Sequence, residues 1–154
     1  MTTFTSPQAS REAIAALFTA YTGSGQPLQQ VFSNWPKTKE AKGISPFIMV
    51  VDEFTEQQMN TQNVNRTRFG FVVAAFVLCA KESDGTINRA DALDELGNIN
   101  RVIRQVIRGG VGASSNWDNL GFEGRAQVEN FNFDGLLYVT QPFVVVARLP
   151  RGQT

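Results

Sequence analysis

The sequence predicts a single α+β domain built from a mainly antiparallel sheet and two packed helices. Three observations carry that expectation. Two segments repeat apolar residues at helical spacing, several others read as strands, and the helices are too few and too separated for a doubly wound parallel sheet. At 154 residues, 42% apolar and 18% charged, the chain can bury one core without disulfide or metal staples. Neither an internal repeat nor a second-domain boundary is visible. We therefore expect one domain over residues 1–154, with flexible ends at about 1–5 and 150–154.

The expected order is α-β-β-β-α-β-β-β. Ser6-Pro7 supplies a capping hydroxyl and a proline for the first helical position. Ala13, Ile14, Leu17, Phe18 and Tyr21 then share one face, and Gly23 is placed to end the helix. After a Gly/Ser/Pro/Gln connector, Thr22 to Gln30, a short strand is expected over Val31 to Trp35, before Pro36. Lys37, Lys39 and Lys42 mark a solvated loop ending at Gly43.

Pro46 to Phe54 and Phe69 to Ala80 read as strands, the second apolar on both faces and therefore central and covered on both sides. Between them Thr55 to Arg68 is polar, with only Met59 and Val64 to bury. Two readings stay open for it. Either both strands run on into a long hairpin whose polar end stands off the body, or the stretch is a disordered surface loop.

Ser83-Asp84-Gly85 signals a turn, and Asn88 three residues before Asp91 resembles a capping box. The second helix carries Leu93, Leu96, Ile99, Ile103, Val106 and Ile107 on its apolar face. Arg101, Arg104 and Arg108 gather on the opposite side, and Gly109-Gly110 ends the helix. Strands follow over Trp117 to Phe122, Arg125 to Phe133 and Leu136 to Leu149. The last is interrupted at Gln141-Pro142, where proline implies an edge, a bulge or a break.

Composition narrows the chemistry. With no histidine, the chain has no Ser-His-Asp or Cys-His arrangement and no His-dependent metal site. Its one cysteine, Cys79, lies in an apolar run and rules out an intrachain disulfide or a CxxC pair. Asp52-Glu53, Asp91 with Asp94-Glu95, and Glu123 with Glu129 are the carboxylate sets to weigh for acid/base work or as hard-cation ligands. Their plainer readings are a solvated strand end and complements to a helix N-terminus. Thr22 to Gly25 and Gly109 to Ser115 lack the Gly-Lys-Ser/Thr ending of a phosphate loop. We expect no enzyme, and no catalytic, cofactor or metal site.

Fourteen basic and fourteen acidic residues give zero formal charge, so nothing overall draws the chain to nucleic acid or membrane. No secretory signal is visible in Met1 to Ser10, and no apolar run approaches the length of about 20 residues that a membrane span needs. A soluble, cytoplasmic protein is the expectation. Two surfaces remain as candidates for contact. One is the polar stretch, through Thr55, Glu56, Gln57, Gln58, Met59, Asn60, Gln62, Asn63, Arg66 and Arg68; the other is the stripe of Arg101, Arg104 and Arg108, whose plainer reading is a complement to the helix's negative end and which otherwise suits an acidic protein partner better than a nucleic-acid backbone, since no stacking aromatic lies between the arginines.

In order, a short amphipathic N-terminal helix, a hairpin with a long polar tip, a capped second helix beginning Asn88-Arg-Ala-Asp-Ala-Leu-Asp-Glu-Leu, and terminal strands resemble the tail terminator proteins of long-tailed bacteriophages. Arg89 to Val106 and Phe131 to Val146 are the stretches most similar to that family. The resemblance implies a virion protein, assembled in the host cytoplasm, that caps the tail tube as a homo-oligomeric ring, usually a hexamer. Its partners would be itself, the tail tube protein and a neck or head-completion protein. DNA would be passing cargo only, no membrane would take part, and no cofactor or reaction would be expected. In such a ring the polar hairpin would reach the next subunit, and Asp52, Glu53 and Glu56 would face the lumen. The alternatives are a stand-alone protein-binding module, adaptor or inhibitor, and another neck or head-completion subunit.

Overall fold

The computed structural model describes residues 6–59, 65–110 and 116–149, an α+β fold around one mainly antiparallel sheet. In chain order its elements begin with α1 (Pro7–Thr19), β1 (Gln30–Phe32), α2 (Thr38–Ala41), β2 (Phe47–Met59), β3 (Asn65–Leu78), β4 (Ala80–Lys81) and β5 (Ile87–Asn88). Then come α3 (Arg89–Gly109), β6 (Asn119–Arg125), β7 (Glu129–Phe133), β8 (Leu136–Thr140) and β9 (Phe143–Arg148). The long elements follow the expected order, and the additions are one helical turn and several short strands.

Both long helices start where their capping signals lie. Ser6 Oγ accepts the Ala9 N–H at 3.1 Å, and Asn88 Oδ1 accepts the Asp91 N–H at 3.1 Å. α1 nevertheless stops short of Gly23, with Ala20 at its C-cap. The reason is tertiary. The Leu28 N–H returns to the Tyr21 carbonyl at 3.0 Å, which turns the chain and carries Leu28 into the core. The stretch Lys37 to Gly43 also departs from a solvated loop, because α2 turns Ala41 inward until it is fully buried.

β2 and β3 pair from Phe47↔Phe76 out to Met59↔Asn65, with a bulge at Glu53. Both strands therefore run on into the polar stretch, and the loop reading does not hold for its described residues. β3 is central, as its two apolar faces require. Along its other side β9 pairs with Arg68 to Val73 and β8 with Phe76 to Leu78. β8 and β9 thus lie end to end, and the break between them falls at Gln141-Pro142. β6 on β9 and β7 on β8 repeat the arrangement one lane out. The gap between β6 and β7 sits at residues 126–128, not at the expected 123–124, because it matches the proline break: the Ala126 N–H donates to the Pro142 carbonyl at 2.8 Å.

α1 and α3 cover one face. Ile14, Phe18, Leu96, Ile99, Ile103 and Ile107 meet Ile48, Val50, Phe71, Val73 and Val145 there, all essentially solvent-free. The other face carries an aromatic set. Phe47 stacks on Phe76 with ring centroids 4.8 Å apart, and Tyr138, Phe131 and Phe32 pack edge-on around them. No long helix covers this face among the described residues; the segment carrying α2 closes part of it.

Tyr138 ties that segment down. Its buried hydroxyl accepts the Gly43 N–H at 3.1 Å and lies within donating distance of the Ile44 and Ala41 carbonyls, at 3.1 and 3.3 Å. Burial pushes the phenol pKa up, against the opposing effect of the Gly43 N–H. Tyr138→Phe should lower stability by about 1–2 kcal/mol at neutral pH, since it orphans these backbone groups. The folded state holds the phenolic proton more tightly than the unfolded chain does. The hydroxyl's contribution is therefore full below the unfolded pKa of about 10 and is lost as pH rises through the folded value. Urea midpoints of wild type and variant should converge above that pH; a gap that stays constant would count against this role.

Candidate functional site

The polar hairpin is shaped by where its neighbours end. β9 accompanies β3 as far as Arg68↔Arg148, and the Leu149 N–H makes a last bond to the Thr67 carbonyl at 2.9 Å. β1 accompanies β2 only over Phe47 to Met49. From Gln58↔Arg66 outward, among the described residues, the two strands pair only with each other. The described arm adds two residue pairs beyond the sheet, about 7 Å of extended chain. Gln57, Gln58, Met59 and Arg66 belong to this ladder, and Thr55 is exposed just below it. Asn60, Gln62 and Asn63 lie outside the described residues.

At the base of the arm, Arg68 acts as a structural bolt. Its guanidinium donates to Glu56 Oε2 at 2.9 Å, stands 3.6 Å from Glu123 Oε1, and lies over the Phe54 ring at 5.7 Å. The side chain is only 11% exposed, so these contacts join β2, β3 and β6 in a partly desolvated cluster. The hydrogen bond to Glu56 raises the Arg68 pKa further, against desolvation and with help from Glu123. Arg68 is a fixed cation at every accessible pH. Of the three acids expected to face a lumen, Glu56 is held here and Asp52 pairs with Arg11 of α1 at 2.7 Å. Glu53, at the bulge, makes no ion pair among the described residues.

The arginine stripe of α3 divides. Arg101 is exposed, whereas Arg104 and Arg108 form one wall of a depression of about 540 Å³. Phe122, Glu123, Gly124, Arg125 and Phe143 complete it. Arg104 is half-buried, with its guanidinium 5.9 Å from the Phe143 ring centroid. No aromatic lies between these arginines in the sequence. Phe122 and Phe143 come to them only through sheet pairing, for which no local signal exists.

A second depression, about 240 Å³, opens on the aromatic face between Trp35, Met49, Val51, Phe76 and Phe131, with Glu53 and Glu129 among its lining residues. Trp35 is 58% exposed and rests against Phe131 at 6.4 Å. This surface was also missed, because Val31 to Trp35 reads as a strand, and the chain in fact leaves the sheet after Phe32.

Among the described residues no group of three or more His, Cys, Asp or Glu is placed to share a metal ion. Cys79 is buried, and burial pushes its thiol pKa up, against the nearby Arg89, so it stays protonated near neutrality. No described helix is long and apolar enough to cross a membrane. The available surfaces offer shape, charge and a two-stranded arm. Comparison of the chain with protein-family models and with curated proteins gives no match.

Proposed function

We propose that this chain is a structural virion subunit of the tail terminator kind, capping a phage tail tube as a ring and joining the tail to the neck. The observation that carries the reading is the two-stranded arm beyond Gln57↔Thr67, braced at its base by the Arg68 cluster. A ring closed by rotation needs a head-to-tail contact between two different surfaces of one chain, and a braced projection suits one side of such a contact. The order of elements adds support through its resemblance to that family. Arg68 and Glu56 serve the contact indirectly in this reading, by holding the arm, while Thr55 and the residues beyond Glu56 touch the neighbour.

The register defines a clean test. Replacing residues 58–66 by a two-residue Asn-Gly turn keeps the Gln57↔Thr67 pair and removes the arm above it. The variant should fold, with an unchanged circular dichroism spectrum, and remain monomeric by native mass spectrometry. The wild type should form rings when tail tubes are supplied as templates. Rings of the arm-less variant, or a wild type that stays monomeric on tubes, would refute the proposal.

A further inference from the structure

The depression between α3 and β6 has a composition that the ring reading does not use. Arg104, Arg108 and Arg125 face one hollow, and among the described residues none of them has a carboxylate partner. In a chain of zero net charge, three unpaired guanidiniums around one aromatic floor are a local excess that an anionic partner would relieve. The floor is built. Phe122 meets Phe143 edge-on with centroids 5.7 Å apart, and the Arg104 guanidinium lies over the Phe143 ring at 5.9 Å, so one cation already borders the aromatic floor. The hollow lies against an edge strand: among the described residues β6 pairs with β9 alone, leaving its outer backbone groups free.

We propose that this groove binds an extended acidic segment of a partner protein, with carboxylates on the arginines and an apolar side chain on the Phe122–Phe143 floor. The spacing fits. Arg104 and Arg108 are four residues apart, a rise of about 6 Å along the helix. Acidic side chains two residues apart on an extended chain point the same way at about 7 Å. The next side chain on that side reaches toward the aromatic floor. The free edge of β6 can satisfy part of the segment's backbone, which favours a peptide over other anions. The assignment does not depend on ring formation.

The probe is a fluorescein-labelled peptide, Ser-Glu-Ser-Glu-Ser-Leu-Ser, titrated with the full chain in low salt and followed by anisotropy. Saturable binding below about 1 mM is expected, weakened about tenfold or more by the double variant Arg108→Glu with Arg125→Glu. Both arginines are exposed, and an unchanged thermal melt of the variant establishes that its fold is intact. Replacing the peptide's leucine by serine should also weaken binding, through loss of the floor contact. No saturable binding, or an affinity within about twofold in the double variant, overturns the proposal. So does tighter binding of a short oligothymidylate of equal charge, which would reassign the groove to nucleic acid.

Discussion

Trp117→Ala should lower the stability of this fold by about 3–5 kcal/mol, a large share of what a domain of this size possesses. Trp117 is 2% exposed and among the largest side chains in the helix-covered core. Its indole Nε1–H donates to the Gly110 carbonyl at 2.9 Å, at the C-cap of α3, where carbonyls have no helical partner. Beside it, the Ser10 hydroxyl lies 3.3 Å from the Asn116 carbonyl, which ties α1 to the same corner. Alanine would leave both a cavity and an orphan carbonyl. Trp117→Phe keeps most of the volume and loses only the hydrogen bond, so about 1–2 kcal/mol is expected. Urea unfolding followed by circular dichroism separates the two terms. A loss under about 1 kcal/mol for the alanine variant would show that the corner repacks freely and that α3 is not positioned by the indole.

That corner also illustrates what the sequence could and could not disclose. The start of each long helix was legible because capping is local: Ser6 and Asn88 act on amides three residues away. The centrality of β3 was legible because its apolar residues occupy both parities. The Gln141-Pro142 break was legible because proline lacks the N–H a ladder needs. What was not legible depends on partners distant in sequence. α1 ends before Gly23 because Leu28 must reach the core. α2 forms where Ala41 and Gly43 meet Tyr138, nearly a hundred residues on. Arg68 reads as one more polar residue of an exposed stretch, yet Phe54, Glu56 and Glu123 gather on it. The arginine stripe was visible as a helical spacing, while its aromatic floor and third cation, Arg125, come from strands whose pairing no local pattern specifies.

Gly70→Val should cost about 2–3 kcal/mol, and the loss should be coupled to Phe54. Gly70 sits in the middle of β3, between β2 and β9, directly opposite Phe54. The Phe54 ring occupies the space a side chain would take, so that any β-carbon at Gly70 would stand inside the ring. This is the cross-strand arrangement in which an aromatic covers a glycine and restores the packing the strand lacks there. A valine must push the ring toward solvent. The ring's burial is then lost, and with it the surface under the Arg68 guanidinium. Phe54→Ala alone should cost less, because the ring is only half-buried. In the double variant the valine fills space already vacated, so the combined loss should fall short of the sum by about 1 kcal/mol or more. Additive losses, within about 0.5 kcal/mol, would contradict the steric account. Hydrogen exchange extends the test to the arm. If Phe54 and Arg68 brace its base, Gly70→Val should speed exchange of the Glu56 to Met59 amides ahead of those in Ile48 to Val50. Equal acceleration in both segments would mean that the whole sheet loosens and that the arm has no separate anchor.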